Sequence, residues 1–364
     1  MTNGNGDASA DTAASSAVKK PIRVLVVDDS PTARELLIYI LNSDPAIEVV
    51  GMAEDGEAAV LAAVRLKPDV ITMDIHMPRM DGFLATRRIM ESHPTRILIV
   101  SATMPLHPTA MNFRALEAGA LTVLARPLGP GAPDFTKLAR ELTDTVKMLA
   151  EVNVVRRWKQ APRHPDALRA VPAKQNAIRL VAIGASTGGP QALRIILSQL
   201  PKDFAVPIAI VQHIGNGFGA GFAEWLGKAS GYPTRLAQHG EQMQAGRAYV
   251  APDGLQMQVT AADTVALRAD PPEHNLRPSV AALFRSVAAA YAGQALGVLL
   301  TGMGRDGAEE LLQMKLAGAT TLVQDAESCI VNGMPGEAVK LGAASYVLTP
   351  EDIAMHMTYV VNGK

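Results

Sequence analysis

The chain is short of several things, and each shortage removes a class of protein. It has one cysteine, Cys329, in 364 residues. That excludes a disulfide framework and a thiolate metal site, and it fits a reducing compartment. Positive charge is not in excess: 34 Lys and Arg stand against 35 Asp and Glu, a formal net charge of −1. With no basic stripe and no basic recognition helix, nucleic-acid binding has no footprint. No apolar run reaches the ~18 residues that would span a bilayer, so direct membrane insertion is not expected. The first residues are Gly, Ala, Ser, Asp, Asn and Thr, without the apolar stretch of a signal peptide. Residues 1–19 are expected to be a disordered extension, and the expected location is cytoplasmic.

What is present is ordinary globular material. Hydrophobic residues make up 48% and charged ones 19%, enough for sizeable cores, and the length suggests two or three domains. From residue 20 to 148, buried-strand patterns alternate with helical ones. Strands are predicted at 22–27, 47–52, 69–73, 97–100 and 122–124, and helices at 31–41, 58–65, 83–90, 109–117 and 135–149. Five strand–helix units imply a doubly wound parallel sheet, whose ligands sit at the carboxyl ends of the strands.

That edge gathers Asp28 and Asp29 after the first strand, Asp74 after the third and Ser101 after the fourth. Three carboxylates repel one another unless a cation joins them, and oxygen-only ligands favour a hard ion such as Mg²⁺. A solvated acidic rim is the plainer alternative. The segments Val26-Val-Asp-Asp-Ser-Pro31, Met73-Asp-Ile-His-Met-Pro-Arg-Met-Asp-Gly82 and Val100-Ser-Ala102 closely resemble a bacterial response-regulator receiver, a flavodoxin-like fold with a five-stranded parallel sheet. The resemblance implies that Asp74 is the phospho-acceptor, with a histidine kinase as phosphodonor. It implies Mg²⁺ held by Asp29 and Asp74, with Asp28 and the backbone carbonyl of His76 in support, and Ser101 contacting the phosphoryl group. Receivers carry Lys-Pro after the fifth strand, whereas here the pair is Arg126-Pro127. The charge is kept, but a point ammonium has become a planar fork.

Residues 149–176 lose periodicity and are punctuated by Pro162, Pro165 and Pro172, which marks a linker; Trp158 is expected to pack on one of its neighbours. The second module, 177–364, is again α/β. Strands are predicted at 180–183, 207–212, 295–300, 320–323 and 346–348, with helices at 191–200, 281–291, 308–316 and 353–361. Short strands at 250–252, 256–260 and 264–269 suggest a β-hairpin insertion. Within Leu180-Val-Ala-Ile-Gly-Ala-Ser-Thr-Gly-Gly-Pro190, a strand, a glycine-flanked serine and a helix follow in order, the setting of a nucleophile elbow. The same glycines would also cradle a phosphate at a helix start or close an ordinary turn, and the pattern alone leaves all three readings open.

Ser186, His213 and Asp306 each follow a predicted strand, which is the inventory of a serine hydrolase: nucleophile, base and orienting carboxylate. Their order differs from that of α/β-hydrolases. His274 rivals His213, Asp325 and Asp270 rival Asp306, and Cys329 is an alternative nucleophile. Gly184-Ala-Ser-Thr-Gly-Gly-Pro190, Val211-Gln-His213, Arg277-Pro-Ser-Val280 and Leu300-Thr-Gly-Met-Gly-Arg-Asp-Gly307 together resemble the catalytic domain of chemotaxis protein-glutamate methylesterases. The resemblance implies hydrolysis of glutamate γ-methyl esters on chemoreceptor cytoplasmic helices, with deamidation of receptor glutamines. It places the nucleophile at Ser186, the base at His213, the acid at Asp306 and an oxyanion donor at the Met303 backbone N–H. It implies no cofactor for the esterase step, Mg²⁺ belonging to the receiver, and methylated chemoreceptors as partners.

Two other classes compete. A nucleotide-binding module would use Gly184–Gly189 as a phosphate loop, but the acidic ribose ligand expected ~20 residues on is matched only by Asp203. A DNA-binding regulator would need the basic helix that is missing.

Overall fold

The computed structural model describes residues 20–101, 115, 118–150, 177–214 and 217–362. All of the helix predicted at 109–117 but Ala115, and Trp158, fall outside them. The first unit holds β1 (Ile22–Val27), β2 (Ile47–Ala53), β3 (Val70–Met73), β4 (Arg96–Ser101) and β5 (Thr122–Ala125). All pair in parallel, in the order β2-β1-β3-β4-β5. Side chains alternate along each strand, so Val24 and Val26 enter one apolar cluster while Leu25 and Val27 enter the other. That is why β1 reads as an unbroken apolar run: both faces of the sheet are covered. Helices α1 (Pro31–Asn42), α2 (Gly56–Leu66), α3 (Gly82–Ser92) and α4 (Phe135–Ala150) supply the covers. Their starts are set by sequence. Ser30 caps α1 ahead of Pro31, and Asp55 and Asp81 cap α2 and α3 through the Ala58 and Leu84 N–H groups at 2.7 and 2.8 Å.

The second unit is a seven-stranded, wholly parallel sheet. It comprises β6 (Leu180–Ala185), β7 (Ile208–Gln212), β8 (Thr234–Leu236), β9 (Ala248–Val250), β12 (Ala295–Leu299), β13 (Thr320–Gln324) and β14 (Tyr346–Leu348). Its order is β14-β13-β12-β6-β7-β9-β8. The chain leaves β6 in one direction and returns beside it as β12, so the topological switch point lies between those two strands. β10 (Gln256–Val259) and β11 (Val265–Arg268) form a separate antiparallel hairpin. The structure corrects the predicted insertion here: the first of its three strands is β9, which pairs with β7 and β8 in the main sheet, so two strands form the hairpin. The helices are α5 (Gly189–Gln199), α6 (Gly219–Ser230), α7 (Val280–Tyr291), α8 (Ala308–Leu316), α9 (Met334–Lys340) and α10 (Pro350–Asn362). Two large apolar clusters cover the two sheet faces, fed by alternate residues of β6 and β12.

Candidate active site

Ladder bonds bring the second sheet's strand ends to one level. The Ser186 N–H donates to Thr301 O at 3.0 Å, and the His213 N–H to Ala185 O at 2.9 Å. Ser186 therefore stands directly after β6, His213 directly after β7 and the 301–306 turn directly after β12, across the switch point. Gly188 takes φ +83° before α5, a left-handed conformation that glycine adopts without steric cost. Gly302 is required by proximity: a Cβ there would lie 2.6 Å from Ser186 Cβ.

His213 and Asp306 meet. His213 Nε2 lies 2.8 Å from Asp306 Oδ2, with the His213 side chain 9% exposed and that of Asp306 2%. A carboxylate so deeply buried must have its lone pairs satisfied, and backbone supplies the partners: the Val280 N–H donates to Oδ2 at 2.6 Å and the Ala281 N–H to Oδ1 at 3.1 Å. Both belong to the first turn of α7, where unpaired N–H groups and the helix dipole favour negative charge. Ser279 caps α7 through the Ala282 N–H at 3.2 Å. Ser279 is itself held by Gln256 Oε1, which accepts from its N–H at 2.8 Å and its hydroxyl at 3.2 Å. The hairpin thus supports the helix that supports the acid.

Two buried side chains hold successive carbonyls of the serine turn. Gln212 Nε2 donates to Ser186 O at 2.8 Å, and the Thr301 hydroxyl donates to Thr187 O at 2.9 Å. Thr301 Oγ1 also accepts from the Val331 N–H at 2.9 Å, which draws residues 330–331 against the turn; Ile330 sits over Gly188. Met303 lies in the same 301–306 turn and is 54% exposed. Sequence reasoning missed Gln212, Gln256 and Thr301. For Gln212 and Thr301 the available signal was a polar residue closing an otherwise apolar run; Gln256 opens β10 and carries no such signal.

The rivals are placed elsewhere. Asp325 uses Oδ1 to accept from the Glu327 and Ser328 N–H groups and Oδ2 to accept from the Ser328 hydroxyl, closing its own loop. Asp270 and His274 are exposed. Cys329 is 6% exposed, and burial, with Asp325 nearby, pushes its thiol up to about 12, which removes the thiolate a nucleophile needs. Asp203 precedes β7 and so lies towards the opposite end of that strand from the site, where a ribose ligand of the dinucleotide fold has no use.

At the first sheet's carboxyl edge, ligand oxygens of Asp28, Asp29 and Asp74 lie within 4.8 Å of one another; Asp28 and Asp74 are buried and Asp29 is exposed. Burial, followed by repulsion from Asp28, pushes the Asp74 carboxyl up to about 6. An all-oxygen cluster short of positive charge suits Mg²⁺. Arg126 Nη1 is committed to Asp28 Oδ2 at 2.8 Å, while Asp28 Oδ1 accepts from the Ser30 N–H at 2.9 Å. The Ser101 hydroxyl is buried with no hydrogen-bond partner among the described residues. The His76 side chain is exposed.

Sheet topology, strand-end serine and histidine–carboxylate pair define a hydrolase-type α/β domain joined to a receiver-type one. A family model described as CheB methylesterase matches residues 181–357, and one described as response regulator receiver domain matches residues 24–132. Over 341 residues the chain is 51% identical to protein-glutamate methylesterase/protein-glutamine glutaminase 4 of Geobacter metallireducens, covering 93% of this chain and 98% of the relative. It is 53% identical over 338 residues to protein-glutamate methylesterase/protein-glutamine glutaminase 1 of Syntrophus aciditrophicus, covering 92% and 96%. The crystal structure of the Thermotoga maritima CheB methylesterase catalytic domain is similar at 34% identity and a TM-score of 0.49, covering 51% of this chain and 100% of that one. The chain belongs to the CheB methylesterase family, and it is an enzyme of that family with a receiver domain at its front.

Proposed function

We propose that the chain hydrolyses glutamate γ-methyl esters on the cytoplasmic helices of chemoreceptors, and deamidates receptor glutamines by the same chemistry. In this reading residues 20–148 are the receiver, 149–176 the linker and 177–364 the catalytic domain. The observation that carries it is the buried His213–Asp306 pair beside the Ser186 turn. Nε2 of His213 is committed to Asp306, so Nδ1 takes the proton as the Ser186 hydroxyl attacks the ester carbonyl. The Oγ–C bond forms, and the tetrahedral oxyanion is received by backbone donors, the Met303 N–H among them, each worth roughly 3 kcal/mol of barrier. His213 returns the proton to the departing methoxide, and methanol leaves. Water then attacks the glutamyl ester of Ser186 by the same base and regenerates the hydroxyl. With a glutamine, ammonia leaves in place of methanol. Asp306, anchored by two backbone N–H groups, holds the ring and stabilises its charged form.

The receiver supplies control. Asp74 is the phospho-acceptor, a histidine kinase the donor, and Asp29, Asp74, Asp28 and the His76 carbonyl the groups that would hold Mg²⁺, which supplies charge neutralisation at the phosphoryl oxygens. Ser101 gives its hydroxyl to the phosphoryl group, and Arg126 gives charge once it is drawn from Asp28. The route to the catalytic site is supported by packing. Val331, tied to the serine turn through Thr301, and Ile330, packed over Gly188, also lie against the receiver's apolar cluster. Among the described residues no helix is long and apolar enough to cross a membrane, and the enzyme meets the receptor helices from the cytoplasm. The test is methanol release from membranes carrying methylated receptors, comparing the whole chain, the chain phosphorylated in Mg²⁺, and residues 177–364. The fragment and the phosphorylated chain should both outpace the unphosphorylated whole. Equal rates for whole and fragment would refute the brake, and no methanol from any of the three would refute the substrate.

A further inference from the structure

Gln212 closes β7 after the apolar run Ile208–Val211 and is 4% exposed. Its side-chain amide spans nucleophile and base: Nε2 donates to Ser186 O at 2.8 Å and to His213 O at 2.9 Å. The other end of the amide gains nothing. Oε1 is buried with no hydrogen-bond partner among the described residues, pressed against Gly189, where a Cβ would collide with it. Turning the amide over would set Oε1 against two carbonyl oxygens and strand both N–H groups, so its orientation is fixed by chemistry. A buried acceptor without a partner is unfavourable, and an apolar residue would fill the end of this strand without it. What the amide supplies is local. The His213 N–H to Ala185 O bond is the last rung between β6 and β7. Beyond it Ser186 turns out of the strand, and the carbonyls of Ser186 and His213 lose their place in the ladder. The Gln212 amide replaces the missing rung and ties the two backbones together at the level of the reacting side chains.

We propose that Gln212 is a positioning residue that sets the separation between the Ser186 hydroxyl and the His213 ring. This rests on the serine mechanism proposed above. The catalytic consequence follows from geometry: a small misplacement of nucleophile against base costs on the order of 100-fold in rate, while Gln212 is itself buried and offers a bound substrate no contact to lose.

The test uses the full chain carrying Gln212→Met, which keeps length and loses both donors, or Gln212→Asn, which keeps the donors on a shorter arm. Three quantities are read: kcat and KM for methanol release, the rate at which a fluorophosphonate labels Ser186, and near-ultraviolet circular dichroism with the thermal midpoint. The expected result for Gln212→Met is a kcat lower by about 100-fold, a KM near wild type and labelling slowed in parallel, with Gln212→Asn between the two. A purely structural glutamine would lower the thermal midpoint and leave both rates of the folded protein at wild type, and that result overturns the inference. If Gln212→Met does not fold, Gln212→Asn decides on the same criteria. Ser186→Ala runs alongside. Methanol release that persists in it defeats the serine mechanism itself, whereas a Ser186-dependent rate indifferent to Gln212 defeats only the present inference.

Discussion

Both sheets place polar groups at their carboxyl edges, yet the two edges are electrostatic opposites. In the second unit the one buried carboxylate at the site, Asp306, has each oxygen engaged by a backbone N–H, and one also meets His213. In the first unit Asp74 and Asp28 are buried together; among the described residues Arg126 is bonded to Asp28 and offsets only part of the burial and repulsion that raise Asp74. The Ser101 hydroxyl, at the end of β4 on the same sheet edge, is buried with no partner among the described residues. Among the described residues one edge is finished and the other is short of both charge and hydrogen bonds. A finished site is preorganised and needs no rearrangement at the moment of reaction. An unfinished one changes its energy when an ion or a phosphoryl group arrives, which is what a switch requires.

The comparison breaks if the finished edge tolerates damage. Ser186→Ala should lower methanol release by roughly 10³–10⁶-fold, since members of such a triad act as a unit. Its thermal midpoint should stay near wild type, because the hydroxyl contributes little packing; near-normal turnover would return the question to another nucleophile. Asp306→Asn should cost roughly 10³–10⁴-fold in kcat. Unlike the serine variant it should also lose about 1–3 kcal/mol of stability, because one of its atoms can no longer accept from the start of α7. Chemical denaturation of the two variants side by side separates them, and Asp325→Asn should change neither quantity by as much.

The unfinished edge should behave in reverse. Asp74→Asn removes one of two charges buried side by side, so it should stabilise the protein in metal-free buffer at pH 8, by about 3 kcal/mol at most. Because the folded value near 6 stands above the ordinary 3.8, the gain is full above about pH 6 and vanishes below about 3.8. Added Mg²⁺ should narrow the difference between wild type and variant. A destabilised Asp74→Asn would show that the edge is not short of charge. The smallest effect belongs to His356, fully buried on α10 with both ring nitrogens unpartnered among the described residues and the Tyr346 ring 4.5 Å away. Burial lowers its pKa from 6.5. The unfolded chain therefore takes the proton first, and stability present above about pH 6.5 is lost as pH falls. His356→Leu should flatten that slope in thermal melts between pH 8 and 5, and an unchanged slope would assign it to other groups.

The sequence revealed the sheets better than their surroundings. Buried parallel strands announce themselves as apolar runs, and β1, β4, β6, β7, β12 and β13 were visible for that reason. Helix α6 was not, because Gly219-Ala-Gly-Phe-Ala-Glu-Trp-Leu-Gly227 carries three glycines that local propensity counts against a helix. Burial of Phe222, Trp225 and Leu226 overrides it. β8 is three half-buried residues, and α9 is a seven-residue helix opened by Met334-Pro335; neither is long enough to show a period. In the candidate site, strand ends and glycine turns nominate Ser186, His213 and Asp306, and the structure brings the last two into contact. Gln212, Thr301 and Gln256 act through partners far off in sequence: Thr301 reaches Thr187 across 114 positions, and no local pattern encodes such a bond.

The hairpin's hold on α7 bears on how such a protein can diversify. Gln256 faces inward and fixes Ser279, while neighbouring positions of β10 and β11, such as Gln258 and Arg268, face solvent or pair on the surface. One face of the ribbon is tied to the acid's geometry and cannot drift; the other is free to take new residues without touching the reaction. Substitutions on that outer face can therefore accumulate while the buried contacts beneath α7 stay as they are.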